Sequence, residues 1–351
     1  MKSHTMVALA ILLGCVALSA QQRPLKVMVL YDMEGVSGAS NVKHTQFAHP
    51  TEYAEGRKSL TADVNAAVAG LKAAGATEIV IVDGHGSGNN TEPDVLEKEL
   101  LPPAKMMYRD APFDIYMESY DHSFDAIVAI GMHAGAGNSV GFLSHTYTYE
   151  DVDYRVNGVP VNETMILAMG AGRLRIPVIM VSGDDQLERE VRRMLPWVRF
   201  ATVKHAVDRS KAEPLPRAEV DKRIESAARE ALLGLASAKV PDFPGPYRFT
   251  LTFQDTTQAT FAGLVPGAEV RGNTVEVRSN DFEEGYHKSV RLIALASTAD
   301  RNTGLNTIVG SHELRLEMSD WLTERWLTGT APGTPGAAPG AAPKRKFWGA
   351  N

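Results

Sequence analysis

Four short, continuous apolar runs, with one helix-length amphipathic segment between the first two, restrict this chain more than any other feature. Val27–Tyr31 and Glu78–Val82 have strand length and no alternation, and runs of the same kind stand at Ala126–Ile130 and Pro177–Val181. Glu52–Ala74 places Tyr53, Leu60, Val64, Val68 and Leu71 at helical spacing and stops at Gly75. Strand, helix, strand in that order forces a parallel pair. Runs that are apolar on both faces predict a sheet covered on both sides, with Glu163–Leu174 as a further helix.

The texture changes after about residue 200. Arg217–Leu235 reads as helix, Tyr247–Phe253 and Thr274–Arg278 alternate, and Asp281–Ser297 reads as helix again. Alternation means strands with one wet face. The predicted fold class is therefore α/β: an N-terminal domain with a mostly parallel sheet over 25–200, and a smaller α+β domain over 201–328. A length of 351 residues supports two domains, at about 150 residues each.

Both ends read as something other than fold. Lys2, the apolar run Met6–Leu18 and the small-residue site Leu18-Ser19-Ala20 predict a signal peptide over 1–20 and an exported protein, periplasmic or secreted. The run is shorter than the about 20 residues a spanning helix needs, and no later stretch is longer, so no transmembrane helix is expected in the mature chain. Lipoprotein processing at Leu12-Leu13-Gly14-Cys15, with Cys15 acylated, is the alternative. From Gly329 a Pro/Gly/Ala tract predicts a disordered tail over 329–351. Its closing Lys344-Arg345-Lys346-Phe347-Trp348 either touches a membrane surface or wall polymer or is a solvated end.

The formal net charge is −6, and no basic stripe is present to neutralise phosphates, which argues against nucleic acid as a partner. Cys15 is the only cysteine. Cleavage after Ala20 would remove it, and any metal must then be held by His, Asp and Glu.

Three of the apolar runs end on such side chains. LKVMVLYDMEG delivers Asp32 and Glu34, EIVIVDGHG delivers Asp83 and His85, and DAIVAIGMHAG delivers His133. In an open parallel sheet, ligands bind outside the carboxyl ends of the strands. Side chains two apart on an extended segment face the same way, so Asp32 and Glu34 can share one site, as can Asp83 and His85. Carboxylates and imidazoles converging on one point are costly without a cation. The nitrogen and oxygen donors suit zinc best, with manganese or cobalt as alternatives. Gly84-x-Gly86-x-Gly88 is not a dinucleotide fingerprint, because that motif must open a helix and Asn89-Asn90-Thr91 reads as loop.

Two further residues lie nearby. His145 follows His133 through a glycine-rich loop; it is either a general base or nucleophile in the same cavity, or a histidine satisfied by a loop carbonyl. Glu163 opens a helix, where a carboxylate already favours the macrodipole. Asp83 is either support for a metal-bound histidine or a strand-end hydrogen-bond acceptor.

Taken together, YDMEGVSG at Tyr31–Gly38, VDGHGSGNN at Val82–Asn90, GMHAGAG at Gly131–Gly137, FLSHT at Phe142–Thr146, VNGVPVNE at Val156–Glu163, VIMVSGDD at Val178–Asp185 and VKHAVDRSKA at Val203–Ala212 are specific. Over Leu25 to Trp326 the chain resembles the DppA-type D-aminopeptidases, zinc metallopeptidases first named as dipeptide transport proteins. That resemblance implies two zinc ions per subunit, with Asp32, Glu34, His85, His133 and Glu163 as ligands and Asp32 the bridge. It implies His145 as the catalytic residue. It further implies release of N-terminal D-amino acids such as D-Ala from short peptides, and a large ring-shaped homo-oligomer such as a decamer. Asp184 and Asp185 fall outside the implied ligand set and read as structural or substrate-proximal. Other metal-dependent amidohydrolase chemistry, L-aminopeptidase activity, or an exported peptide-binding module with a vestigial site are the alternatives. A vestigial site predicts a lost ligand, and all five positions are filled.

Overall fold

The computed structural model describes residues 24–308 and 346–349. The leader-like segment 1–20 and residues 329–345 of the predicted tail lie outside the described residues. Among those described, no helix is long and apolar enough to cross a membrane.

The main sheet has seven strands in the order β3 (Ala104–Met106), β2 (Ala76–Asp83), β1 (Leu25–Tyr31), β4 (Ala126–Met132), β7 (Val178–Asp184), β8 (Arg199–Asp208) and β9 (Lys211–Pro214). All neighbours run parallel except β8 and β9. The central strand β1 pairs on both sides, Val29 opposite Ile81 on one and Val128 on the other. Its side chains divide between two cores: Val27, Val29 and Tyr31 pack with residues of α1 (Pro50–Ala73) and α4 (Arg217–Leu233), while Met28 and Leu30 enter the opposite core. Full burial of each such side chain contributes about 1.5–3 kcal/mol, which is why these runs carry no polar face. Helix α1 ends where predicted because Gly75, at φ +101°, takes the left-handed position that closes a helix.

The opposite core also holds α2 (Glu163–Gly172) and a second, antiparallel sheet in the order β11 (Glu269–Arg271), β12 (Thr274–Ser279), β10 (Tyr247–Phe253), β5 (Asp151–Val156), β6 (Val159–Pro160). Helices α5 (Thr256–Ala262) and α6 (Phe282–Ile308) pack against β10 and β12. Tyr247–Phe253 buries Phe249, Leu251 and Phe253 and leaves the residues between them partly exposed, as the alternation requires.

The chain does not divide at residue 201. Strand β8 spans that position and pairs with β7, and α4 beyond it covers α1, so both belong to the parallel layer. Conversely, β5 and β6 come from the first half yet join β10, with Tyr154 opposite Leu251. The alternating DVDYRV of β5 is short, and its pairing partner lies far along the chain, so local pattern assigned it to no sheet. The tail also departs from expectation at Lys346–Gly349. Trp348 is 5% exposed and packs in the core behind β2.

Candidate metal centre

The predicted ligands meet at the carboxyl edge of β1, β2 and β4 because two glycines let backbone segments touch. After β1, Asp32 N donates to Ile130 O at 2.8 Å and Gly35 N to Gly131 O at 2.7 Å, tying the DMEG turn to the end of β4. A Cβ at Gly35 would collide with the Met132 carbonyl, and one at Gly131, which sits at φ +73°, with the Asp32 carbonyl. The turn is held from beneath by Lys204, fully buried on β8, whose Nζ donates to the carbonyls of Glu34, Val36 and Ala39. Burial pushes this lysine down to about 7 against the pull of Asp184, Asp63 and Glu34.

The six candidate side chains form two groups: Asp32, Glu34 and His85 in one, His133, His145 and Glu163 in the other. Each group brings its donor atoms within 4.8 Å of one another. Asp32 joins them, with Oδ2 3.2 Å from His133 Nε2, while His133 Nε2 is 3.7 Å from Glu163 Oε1 and His85 Nε2 is 3.3 Å from Glu34 Oε1. Asp32 and Glu34 are each 3% exposed.

All three histidines are turned the same way by what lies behind them. His133 Nδ1 is 3.0 Å from Ala134 O, His145 Nδ1 is 2.6 Å from Leu143 O, and His85 Nδ1 is 2.8 Å from Asp94 Oδ2. A carbonyl only accepts, so His133 and His145 donate from Nδ1, and in all three rings Nε2 is the nitrogen turned to the centre. Leu143 (φ 48°) and Tyr147 (φ 66°) hold the left-handed conformation on either side of His145, a local strain of the kind found at functional loops.

The electrostatics describe a site built for cations. Burial pushes Asp32 up to about 7, helped by the charge of Glu34 and opposed by His133. Burial acts most strongly on Glu34, upward, but His85, His145 and His133 together outweigh it and hold the carboxyl well below its usual range. Burial acts downward on His133, yet Glu163 and Asp32 raise it to about 10. Buried Glu34 Oε2 has no hydrogen-bond partner among the described residues, and His133 Nε2 faces only the carboxylates of Asp32 and Glu163, as expected of atoms that would share a metal ion. A set of carboxylate oxygens and imidazole nitrogens with their supporting hydrogen bonds in place fits divalent zinc.

Four supporting residues escaped the sequence reading. Asp94 orients His85; Tyr116 Oη donates to Glu163 Oε2 at 2.5 Å; Lys204 holds the DMEG turn. Glu190 of α3 (Asp185–Met194) accepts from Gly135 N, Asn138 Nδ2 and Asn162 Nδ2, linking the His133 loop to the start of α2. Lys204 stood within VKHAVDRSKA, so a sequence signal existed for it. Asp83 is a strand-end acceptor, taking Tyr31 Oη, His85 N and Asp94 N. Asp184 is structural: it caps α3 and accepts from Phe142 N, fixing the loop that carries His145.

A cavity of about 390 Å³ opens on the centre, lined on its polar side by Asp32, His85, His133, His145 and Glu163 and on its apolar side by Phe113, Ile115 and Val290. A larger cavity, about 560 Å³, lies behind the His133 loop and lacks the ligand groups.

A parallel sheet whose strand ends gather two adjoining carboxylate–imidazole groups, one of them holding two stacked histidines, defines a metallohydrolase of the two-metal kind. The chain belongs to the D-aminopeptidase family, whose sequence profile matches residues 25–290. The D-aminopeptidase of Bacillus subtilis (strain 168) is 29% identical over 275 residues, 78% of this chain and 98% of that protein. The chain is likewise similar to the solved structure of a Zn-dependent D-aminopeptidase from Bacillus subtilis, described as a self-compartmentalizing protease. The TM-score is 0.71 at 27% identity, over 78% of this chain and 98% of the other.

Proposed function

We propose that this chain is a zinc-dependent aminopeptidase that releases N-terminal D-amino acids from short peptides, using Asp32, Glu34, His85, His133 and Glu163 to hold two metal ions with Asp32 between them. The observation that carries this reading is the inward turn of the imidazoles onto the buried carboxylates, together with the unpartnered Glu34 Oε2. When bound, two zinc ions supply Lewis-acid polarisation of the scissile carbonyl and acidify the attacking water.

The residues of the chain do the rest. His145 is fixed with its proton on Nδ1, toward Leu143 O, so Nε2 is free to take a proton from the attacking water or to attack the carbonyl itself. Its pKa is lowered by burial and by the charge of His133, which keeps the ring neutral and able to act as a base. Phe113, Ile115 and Val290 exclude water on the opposite wall and receive a small side chain. Tyr116 and the amide of Tyr147, 2.6 Å from Glu163 Oε1, fix Glu163 so that it does not swing toward the substrate.

The leader-like segment 1–20 supports an exported location, where D-Ala peptides from cell-wall turnover would be met. The self-compartmentalizing relative supports a ring-shaped homo-oligomer. The test is release from D-Ala and L-Ala amides by the purified protein, with bound zinc measured before and after chelation. Turnover confined to the D amide and abolished by chelation is expected; full turnover without metal would overturn the reading. N-terminal sequencing of the mature protein and its mass in solution check location and assembly.

A further inference from the structure

The last few residues dock where the main sheet needs them. Strand β3 pairs with β2 only over Ile79–Ile81, with Met107 N still reaching Ile81 O at 2.8 Å. Beyond that point β3 diverges, and the end of β2 has no edge neighbour from it. Residues 347–349 fill that gap. Phe347 and Arg109 exchange both backbone hydrogen bonds at 2.7 Å, and Asp83 N donates to Trp348 O at 3.3 Å. This is a β-augmentation made by the chain's own end.

The side chains strengthen it. The Trp348 ring is buried, meets Tyr108 edge to face at 6.3 Å, and lines a cavity with Pro93 and Val95, the two neighbours of Asp94. Gly349 lies so close to the Asp83 carbonyl that a Cβ there would collide with it. The strap therefore bonds to Asp83, whose Oδ1 accepts from His85 N at 3.0 Å and whose Oδ2 accepts from Asp94 N at 3.1 Å, and Asp94 in turn places its Oδ2 2.8 Å from His85 Nδ1. It lies outside the stretch matched by the family profile, 25–290.

We propose that Trp348 and Gly349 are positioning residues for the metal centre, holding the end of β2 so that His85 completes the Asp32, Glu34, His85 group. The inference rests on the two-metal reading given above. Loss of such supporting contacts costs about 10–100-fold in metal affinity. It should fall on one zinc of the two, because the strap reaches His85 and has no contact with His133 or Glu163 among the described residues.

The experiment titrates full-length protein, Trp348→Ala, Gly349→Ala and a truncation lacking 346–351 with a competing chelator, counting zinc retained. The expected result is that wild type holds two zinc ions, while each variant holds one unchanged and binds the other about 10–100-fold more weakly. Trp348→Phe keeps the aromatic contact and the pairing and should retain both. Added synthetic peptide spanning 344–351 should restore the weak zinc to the truncated protein. If all variants hold both zinc ions as wild type does and only melt earlier, the strap is merely structural and the inference is overturned. A wild type that binds no zinc would instead overturn the metal reading, and the inference with it.

Discussion

His145 lies flat on His133, ring centroids 4.1 Å apart and planes 9° from parallel, and each donates its Nδ1 proton away from the other to a backbone carbonyl. The stack places His145 Nε2 beside the His133 nitrogen proposed as a ligand, without requiring both to serve the same ion. Substituting His145→Ala should lower kcat by about 10²–10⁴-fold while zinc content stays at two per chain. His133→Ala should lose one zinc. Metal analysis of the two proteins decides the assignment, since loss of a zinc from His145→Ala would make that residue a ligand.

Tyr116 is buried and spends its hydroxyl on Glu163. Tyr116→Phe leaves a buried carboxylate oxygen without its donor, at a cost of about 1–3 kcal/mol. The expected outcome is weaker zinc binding by roughly tenfold or more, with D-amide KM little changed; unaltered chelator competition would remove Tyr116 from this role.

Gly131 is needed for its backbone. Any side chain meets the Asp32 carbonyl, and the left-handed φ adds about 1–2 kcal/mol for a non-glycine residue. Gly131→Ala should lower unfolding stability by about 3 kcal/mol in a urea titration. An equal change at Gly86, where a Cβ meets nothing, should cost far less.

Asp151 opens β5 with its carboxylate buried and neither oxygen paired to another residue's donor among the described residues. Burial pushes its pKa well above the carboxylate range, and the charge of Glu163 pushes the same way. The folded pKa exceeds the unfolded value of about 3.9, so the favourable contribution is complete below that pH and is lost as pH rises through the folded pKa. Asp151→Asn should therefore melt higher than wild type at neutral pH, with the two converging toward pH 4. Parallel melting curves from pH 4 to 8 would show that the carboxyl is not buried in solution.

What could be read before folding was whatever physics makes local. The runs at Val27–Tyr31 and Glu78–Val82 are apolar on both faces because two cores flank them, and the residues proposed as ligands follow because strand ends carry the site. Gly75 marked the end of α1 for a steric reason visible in one residue. Pairings across the chain were not legible. The short β5 needs β10, and β8 shows its allegiance only beside β7. Supporting residues were hidden for the same cause: Asp94 and Tyr116 sit in loops with no periodicity, and matter only through hydrogen bonds to His85 and Glu163. Trp348 was hidden most deeply, since a Pro/Gly/Ala tract precedes it and nothing nearby predicts a partner.

The course of β5 sets a timetable for assembly. His133 and His145 precede it and Glu163 follows it, yet its partner β10 is made much later. All the residues proposed as ligands are therefore made before the second sheet, with which α2 shares its core, can form. A chain interrupted before Tyr247 would carry every residue proposed to hold metal yet lack the strand on which β5 and the second sheet depend.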